Sequence, residues 1–428
     1  MRYKEYTKVD LPWVEEVPSH WKIKNVNNLF DERREKVSDK DYPPLSVTKN
    51  GILPQLENVA KSMASDNRKK VLEGDFVINS RSDRKGSSGL SSYDGSVSLI
   101  STVIKPRLGF SKFWNYLLKS NDFIEEFYRN GKGIVADLWT TNFQSMKSIN
   151  LPFPPKEEQE QIARFLDWKI NQIDRLILKK KEKLKSVDNY VKINIFKMLD
   201  RLNNEEIPLK RILAEKMTDG PHETPAFVSD GIPFVSVEAV ENGRINLRKK
   251  RGFISSETSQ KYRKKVKPQK DDIFIVKSGS TTGKIAYVDF DEEFDIWSPL
   301  ALVRVKKNIN KKYIFYYLSS ELFQQQIKDN WTFGTQPNIG MSTLINLKIK
   351  IPSKQKQDFL ANNIELIINR IENIKYNITK QINNLQQLKQ SLISDVVTGK
   401  VDVRDIKIPD YQKVNLTKDD INLDENFN

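Results

Sequence analysis

The sequence predicts an α+β protein made by tandem duplication: two tandem α/β-mixed domains separated by two long helices that form an antiparallel coiled coil. Three observations carry this. First, after Pro154-Pro155-Lys156-Glu157-Glu158-Gln159, apolar residues recur at Leu166, Ile170, Ile173, Ile177, Leu184, Val187, Val191 and Met198 in steps of four and three, with Lys180 and Asn194 in the two gaps. A heptad seam this long specifies a helix that needs a partner helix. Second, the pattern returns 198 residues later, from Pro352-Ser353-Lys354-Gln355-Lys356-Gln357 through Ile364, Ile368, Ile371, Ile378, Ile382, Leu385, Leu392 and Val396, with Lys375 and Lys389 in the gaps. Third, shorter signals between the helices repeat at nearly the same offset.

Residues 1–16 read as a lead-in arm, and Val17-Pro18-Ser19-His20-Trp21 begins the first domain, as Ile207-Pro208-Leu209-Lys210 begins the second. Val71 to Asn79 reads as a turn leading into a buried strand, and Lys270 to Val276 repeats it 197 residues on. A Ser/Gly-rich loop follows each strand, at 80–96 and at Ser278 to Gly283. Ser98 to Ile104 and Ile296 to Val305 supply further strand. Ser111 to Tyr128 and Lys312 to Lys328 each read as one helix. Phe143, Met146 and Ile149 return as Met341, Leu344 and Leu347 at offset 198. The division is therefore 1–153, first domain with arm; 154–200, central helix; 201–351, second domain; 352–400, C-terminal helix; and 401–428, a polar tail expected to be mobile after Arg404.

Composition narrows the function. Lys and Arg outnumber Asp and Glu by 71 to 56, a formal net charge of +15, which points to a polyanionic partner, nucleic acid before membrane. There is no cysteine, so disulfides, thiolate metal sites and a Cys nucleophile are excluded. With His20 and His222 as the only histidines, His-based metal sites and Ser-His-Asp triads have almost nothing to use. No apolar run approaches the ~20 residues of a membrane span. Met1 to Glu5 has no apolar signal core, so the expected location is the cytoplasm. Gly279-Ser280-Thr281-Thr282-Gly283-Lys284-Ile285 imitates a phosphate loop but has three residues between its glycines and Ile285 after the lysine. No dinucleotide fingerprint is present, nor the Asn-Pro-Pro-aromatic stretch with which DNA adenine methyltransferases hold a flipped base. No carboxylate pair singles out a nuclease metal site.

Polar loops with cations stand at matching places in the two halves. Candidates for DNA contact in the first are Asn79, Ser80, Arg81, Arg84 and Lys85, with Lys132, Thr141 and Asn142 on a second loop beside Trp139. In the second half they are Lys277, Ser278, Ser280, Thr281, Thr282 and Lys284, with Gln336 and Asn338 on a second loop beside Trp331. Arginine can bond guanine bidentately, while hydroxyls and lysines hold phosphates. Arg248-Lys249-Lys250-Arg251 and Arg263-Lys264-Lys265 are basic runs, of which Lys249, Lys250 and Arg251 are candidate phosphate contacts. Each of these also has a plainer reading as an exposed loop or a solvated face.

With these features assembled, the chain resembles the specificity subunits of type I restriction–modification systems. The resemblance rests on Pro154 to Ala163, its weaker copy Pro352 to Ala361, the run Ser394-Asp395-Val396-Val397-Thr398-Gly399-Lys400-Val401-Asp402-Val403-Arg404, the domain starts at Pro18 and Pro208, and the strand starts at Gly74 and Asp271. It covers residues 15–404 or so. Ser353, Lys356 and Phe359 depart from Pro155, Glu158 and Gln161 of the first copy. The resemblance implies two target-recognition domains, each reading half of an interrupted double-stranded DNA sequence. It further implies a helical ruler that docks two methyltransferase subunits and, through them, restriction (translocase and nuclease) subunits. No cofactor is then expected in this chain, because S-adenosylmethionine, ATP and magnesium would be handled by the partners.

The seam spans 32 residues, or about 48 Å at ~1.5 Å per residue. Antiparallel pairing would attach a domain near each end, with contact centres roughly 10 to 14 base pairs apart on a duplex, on the order of one turn. Alternatives are a specificity protein serving a methyltransferase alone, a coiled-coil scaffold that binds only proteins, and a DNA methyltransferase or nuclease in its own right, against which the missing motifs argue. Lys180, Asn194, Lys375 and Lys389 are candidates for fixing the register of the helix pair.

Overall fold

The computed structural model describes residues 2–55, 66–133, 139–333 and 336–414. Parts of both second loops and the tail beyond Val414 lie outside these. The chain divides into two compact units, Met1–Lys181 with Thr379–Asn428, and Glu182–Ile378. The division falls inside both long helices, which run Lys156–Asp200 and Lys354–Val397. Each unit therefore contains a mixed domain and a stretch of paired helix.

In the first unit a four-stranded antiparallel sheet runs Ser88–Leu90, Phe76–Asn79, Ser101–Pro106, Phe30–Glu32. The first and last strands of the domain, Lys22–Asn25 and Asn150–Phe153, pair with each other. That pairing closes the domain at the foot of the long helix. The second unit repeats this closure with Glu206–Pro208 on Lys348–Lys350. Its main sheet has six strands, with Ile273–Val276 between Leu300–Val303 and Ile285–Tyr287. The strands Phe76–Asn79 and Ile273–Val276, predicted as copies, are both central and buried. Gly74 and Asp271, at matching positions in the turns before them, both have positive φ, +86° and +71°. After each comes a buried aspartate held by an arginine: Asp75 accepts from Arg33 Nε at 2.6 Å, and Asp272 from Arg304 Nε at 2.7 Å.

Three expectations are corrected. The predicted helix at 111–128 is two helices, Ser111–Leu118 and Asn121–Arg129, and its copy is likewise two, Lys311–Ser319 and Glu321–Asn330. A serine sits at each break and donates its hydroxyl to a carbonyl three residues back: Ser120 to Leu117 at 2.7 Å, Ser320 to Tyr317 at 2.6 Å. Such local bonds compete with helix continuation. The lead-in arm is a hairpin, Tyr6–Leu11 on Val14–Pro18, and Tyr3, Leu11, Val14 and Val17 lie in the core of the first unit. Nor is the tail free as far as Val414. Ile406 and Ile408 pack on the same core, Gln161 Nε2 donates to Val403 O (2.9 Å) and Ile406 O (2.8 Å), and Asn171 Oδ1 accepts from Val414 N at 2.8 Å.

All twenty seam positions are buried or half-buried. Across the helices in the first unit, Lys389 pairs with Asp174 at 2.7 Å and Lys180 Nζ donates to Gln381 Oε1 at 2.6 Å. In the second, Lys375 pairs with Asp188 at 2.7 Å. Asp188 stands two heptads after Asp174 and Lys375 two heptads before Lys389, so the pairing is antiparallel and keeps one register in both units. Asn194 bonds within its own helix, Nδ2 to Tyr190 O at 2.8 Å.

Candidate nucleic-acid interface

In both units the loop that leaves the central strand is hydrogen-bonded to the second polar loop. In the first unit Ser82 N donates to Trp139 O at 3.0 Å, Thr141 N to Ser80 O at 2.9 Å, and Lys132 and Thr140 exchange backbone bonds at 3.1 Å. Arg81 and Thr140 form an antiparallel bridge. In the second unit the bridge joins Ser278 and Asn338, with Gly279 N donating to Pro337 O at 3.1 Å and Ile339 N to Lys277 O at 2.8 Å. The sequence showed two loops per domain; the fold makes each pair one platform.

The platforms sort the candidates into scaffold and surface. Ser80 is buried, its hydroxyl on Thr102 Oγ1 at 2.8 Å, and Thr141 is buried with Oγ1 donating to Phe127 O at 3.1 Å. Asn142 caps the helix Phe143–Met146, and Asn79 Oδ1 accepts from Arg81 N at 3.2 Å. These side chains hold the loops. Arg81, Arg84, Lys85 and Lys132 supply the cations. Arg81 pairs with Asp83 at 2.9 Å and Lys85 with Glu125 at 2.6 Å, while Arg84 stands 4.0 Å from Asp83. Exposed pairs like these are worth little, so the cations can exchange their carboxylates for phosphate.

In the second unit Lys277 is mostly buried and committed: its Nζ lies 3.0 Å from Asp219, which Lys265 also reaches at 2.6 Å. Burial alone would push the Asp219 carboxyl up, but the bonds from Lys265 and Lys277 hold it below the usual carboxylate range. Thr282 Oγ1 donates within the platform, to Gly279 O at 2.8 Å and Pro337 O at 2.9 Å. Thr281 Oγ1 is buried with no partner among the described residues. Ser280, Lys284, Gln336 and Asn338 are exposed and Ser278 is half-buried. The phosphate-loop resemblance fails structurally as well. Gly279–Gly283 joins strand Ile273–Val276 to strand Ile285–Tyr287, whereas a phosphate loop opens a helix.

From the basic run, Lys249 pairs with Glu241 at 2.7 Å, Lys250 lies over the Phe253 ring at 4.4 Å, and Arg251 lies over the Trp297 ring at 4.3 Å. Arg263 is largely buried against Glu293 and Asp295, and so is structural. Arg251 does not belong to a separate basic patch. It stands with Glu238 and Trp297 opposite Ser278, Gln336 and Asn338 around a cleft of about 450 Å³. Glu238 and Trp297 were not legible as site residues in the sequence, because distant strands bring them there. Trp139 is exposed, while Trp331 packs partly against the core of the second unit. Among the described residues no group of three or more acidic or His side chains could hold a metal, and no helix is long and apolar enough to cross a membrane.

Two copies of one domain, each with an exposed polar double loop and a share of a paired helix, define a duplicated binding protein. The model of the type I restriction modification DNA specificity domain matches residues 18–186 and again 224–384, and the chain belongs to that family. It is 24% identical over 276 residues to the type I restriction enzyme MjaVIII specificity subunit of Methanocaldococcus jannaschii, covering 61% of this chain and 64% of that one. It is 23% identical over 285 residues to the EcoBI specificity subunit of Escherichia coli, covering 60% of each. The matches thus span a little under two thirds of these relatives. A solved chain from work on complex assembly and conformational transition of the type I R-M system shares the fold, with a TM-score of 0.67 at 14% identity, over 90% of this chain and 99% of that one.

Proposed function

We propose that the chain is the DNA sequence-specificity subunit of a type I restriction–modification complex and is itself non-catalytic. Each domain reads one half of an interrupted duplex target through its double loop. The paired helices set the spacing and dock two methyltransferase subunits and, through them, restriction subunits. S-adenosylmethionine, ATP and magnesium belong to those partners, and the complex works in the cytoplasm. The observation that carries this reading is the occurrence of the family's domain in two copies, each with an exposed polar double loop at the same place.

Docking is supported by apolar side chains on the helices away from the seam. Leu176 and Leu388 in the first unit, and Tyr190, Ile193, Leu366 and Tyr376 in the second, are each about half exposed or more. Such side chains give a protein partner apolar surface to cover.

The test is single-molecule methylation mapping of DNA from a host carrying the chain with its methyltransferase partner, against the same host lacking the chain. An interrupted methylated motif that depends on the chain is expected, and exchanging residues 17–150 should change one half only. A salt-insensitive complex with no chain-dependent motif would favour the protein-only scaffold.

A further inference from the structure

The cleft of the second unit has a chemistry that phosphate contact does not require. Phosphates are held by cations, hydroxyls and backbone N–H groups, all donors. This cleft sets one cation, Arg251, beside a carboxylate, Glu238, and two amides, Gln336 and Asn338. A carboxylate repels phosphate. Mixed donors and acceptors are instead what base edges in the major groove demand. Among the described residues Arg251 has no acidic partner at ion-pair distance, and Glu238 none that is basic, although both stand exposed in one cleft.

The arginine is also held in place. Arg251 N donates to Phe234 O at 2.9 Å and Trp297 N to Val235 O at 2.9 Å. Both residues therefore hang from the strand Ile232–Val235, whose two neighbours in the three-stranded sheet are Gly252–Ile254 and Asp295–Ile296. With the guanidinium laid on the indole, few rotamers remain while its N–H edge stays free. Gly279, on the cleft lining, has φ +104°, a backbone that other residues resist.

We propose that this cleft reads a G·C pair in the half-site of the second domain: Arg251 donates bidentately to guanine O6 and N7, and Glu238 accepts from a cytosine amine. The proposal rests on the sequence-reading function above.

The experiment measures methylation by the chain reconstituted with its methyltransferase subunits, on duplexes randomised across the half-site that the second domain contributes. The wild type should prefer guanine at one position by about 10- to 100-fold. Arg251→Lys keeps the charge and the ring contact but loses the fork, and should abolish that preference while leaving the first half-site as selective as before. Glu238→Gln should weaken selection for the paired cytosine in the same way. Selection kept at the other positions of the second half-site reports that the domain carrying each variant is folded. A uniform loss at every sequence in Arg251→Lys, with the base preference unchanged, would make Arg251 a phosphate contact and overturn the proposal. An unchanged profile would place the cleft off the DNA and overturn it too. A wild type with a chain-dependent motif but no guanine in that half sinks the inference alone; no chain-dependent motif sinks the reading function with it.

Discussion

Gln159 and Gln357 begin the two long helices in the same way, whereas the residues just before them, Glu158 and Lys356, have opposite charge and opposite surroundings. Each glutamine is buried. Its Oε1 accepts from the first residue ahead of a short helix, Phe110 N at 2.8 Å or Asn310 N at 2.9 Å, and its Nε2 donates 2.8 Å to Pro154 O or Pro352 O. In each unit this amide helps tie the domain to its helix. Glu158 is buried too and collects three donors: Tyr3 OH, Trp21 Nε1 at 3.0 Å and His20 Nε2 at 2.8 Å. Burial, with Glu158 beside it, raises the pKa of Tyr3 and keeps it a donor. Lys356 is exposed, its ammonium 5.1 Å from the centre of the Phe359 ring.

The difference follows from what the second copy lacks. The residues that flank the N-terminal hairpin, Tyr3 before it and His20 and Trp21 after it, supply the donors to Glu158, and the tail supplies the carbonyls that Gln161 binds. Among the described residues the second unit shows no counterpart of either, and its matching positions hold Lys356 and an exposed Phe359. Ser353, in place of Pro155, accepts from Lys356 N at 3.4 Å as a weak cap. Two of the departures, at Glu158 and Gln161, lie where the first copy meets the N-terminal residues and the tail, and the register of the helix is kept.

The largest expected effect is at Glu158. Glu158→Ala leaves three donors without their acceptor, each worth roughly 1–3 kcal/mol when buried, and should cost the first unit about 3 kcal/mol or more. Hydrogen exchange should show the loss in Met1–Lys181 amides and not in Glu182–Ile378; equal loosening of both would break the comparison. Lys356→Glu should stay within about 0.5 kcal/mol, as exposed substitutions do. Next come Gln159→Ala and Gln357→Ala, which should each cost their own unit about 1–2 kcal/mol. Matched losses in urea melts followed unit by unit sharpen the equivalence, and a threefold disparity would refute it. The smallest effect is at Asn194. Because its amide bonds its own helix, Asn194→Leu should leave both stability and register unchanged within about 0.5 kcal/mol. The chain has no cysteine, so Asp174→Cys with Lys389→Cys gives a clean readout: an oxidised cross-link that forms equally with and without Asn194→Leu supports this, and loss of it returns Asn194 to a register-setting role.

The candidate site was legible only in part. The loops after Asn79 and Val276 could be read from turn-forming residues, because turn chemistry is local. That Ser80, Thr141 and Lys277 serve the scaffold could not, since their partners Thr102, Phe127 and Asp219 lie at separations no local pattern encodes. The breaks at Ser120 and Ser320 were local and readable, but the apolar run across them masked a polar stop signal.

By itself the sequence determined the duplication, the heptad seam, the basic charge and the closing-off of thiol and histidine chemistry, because periodicity and composition are properties of the chain. Tertiary structure decided the rest: that the arm and tail fold into the first unit, that Lys389 and Lys375 find Asp174 and Asp188, and that Arg251 meets Trp297 and Glu238 in one cleft. Those contacts join residues far apart in sequence, and side chains acquire such partners only when strands and helices pack.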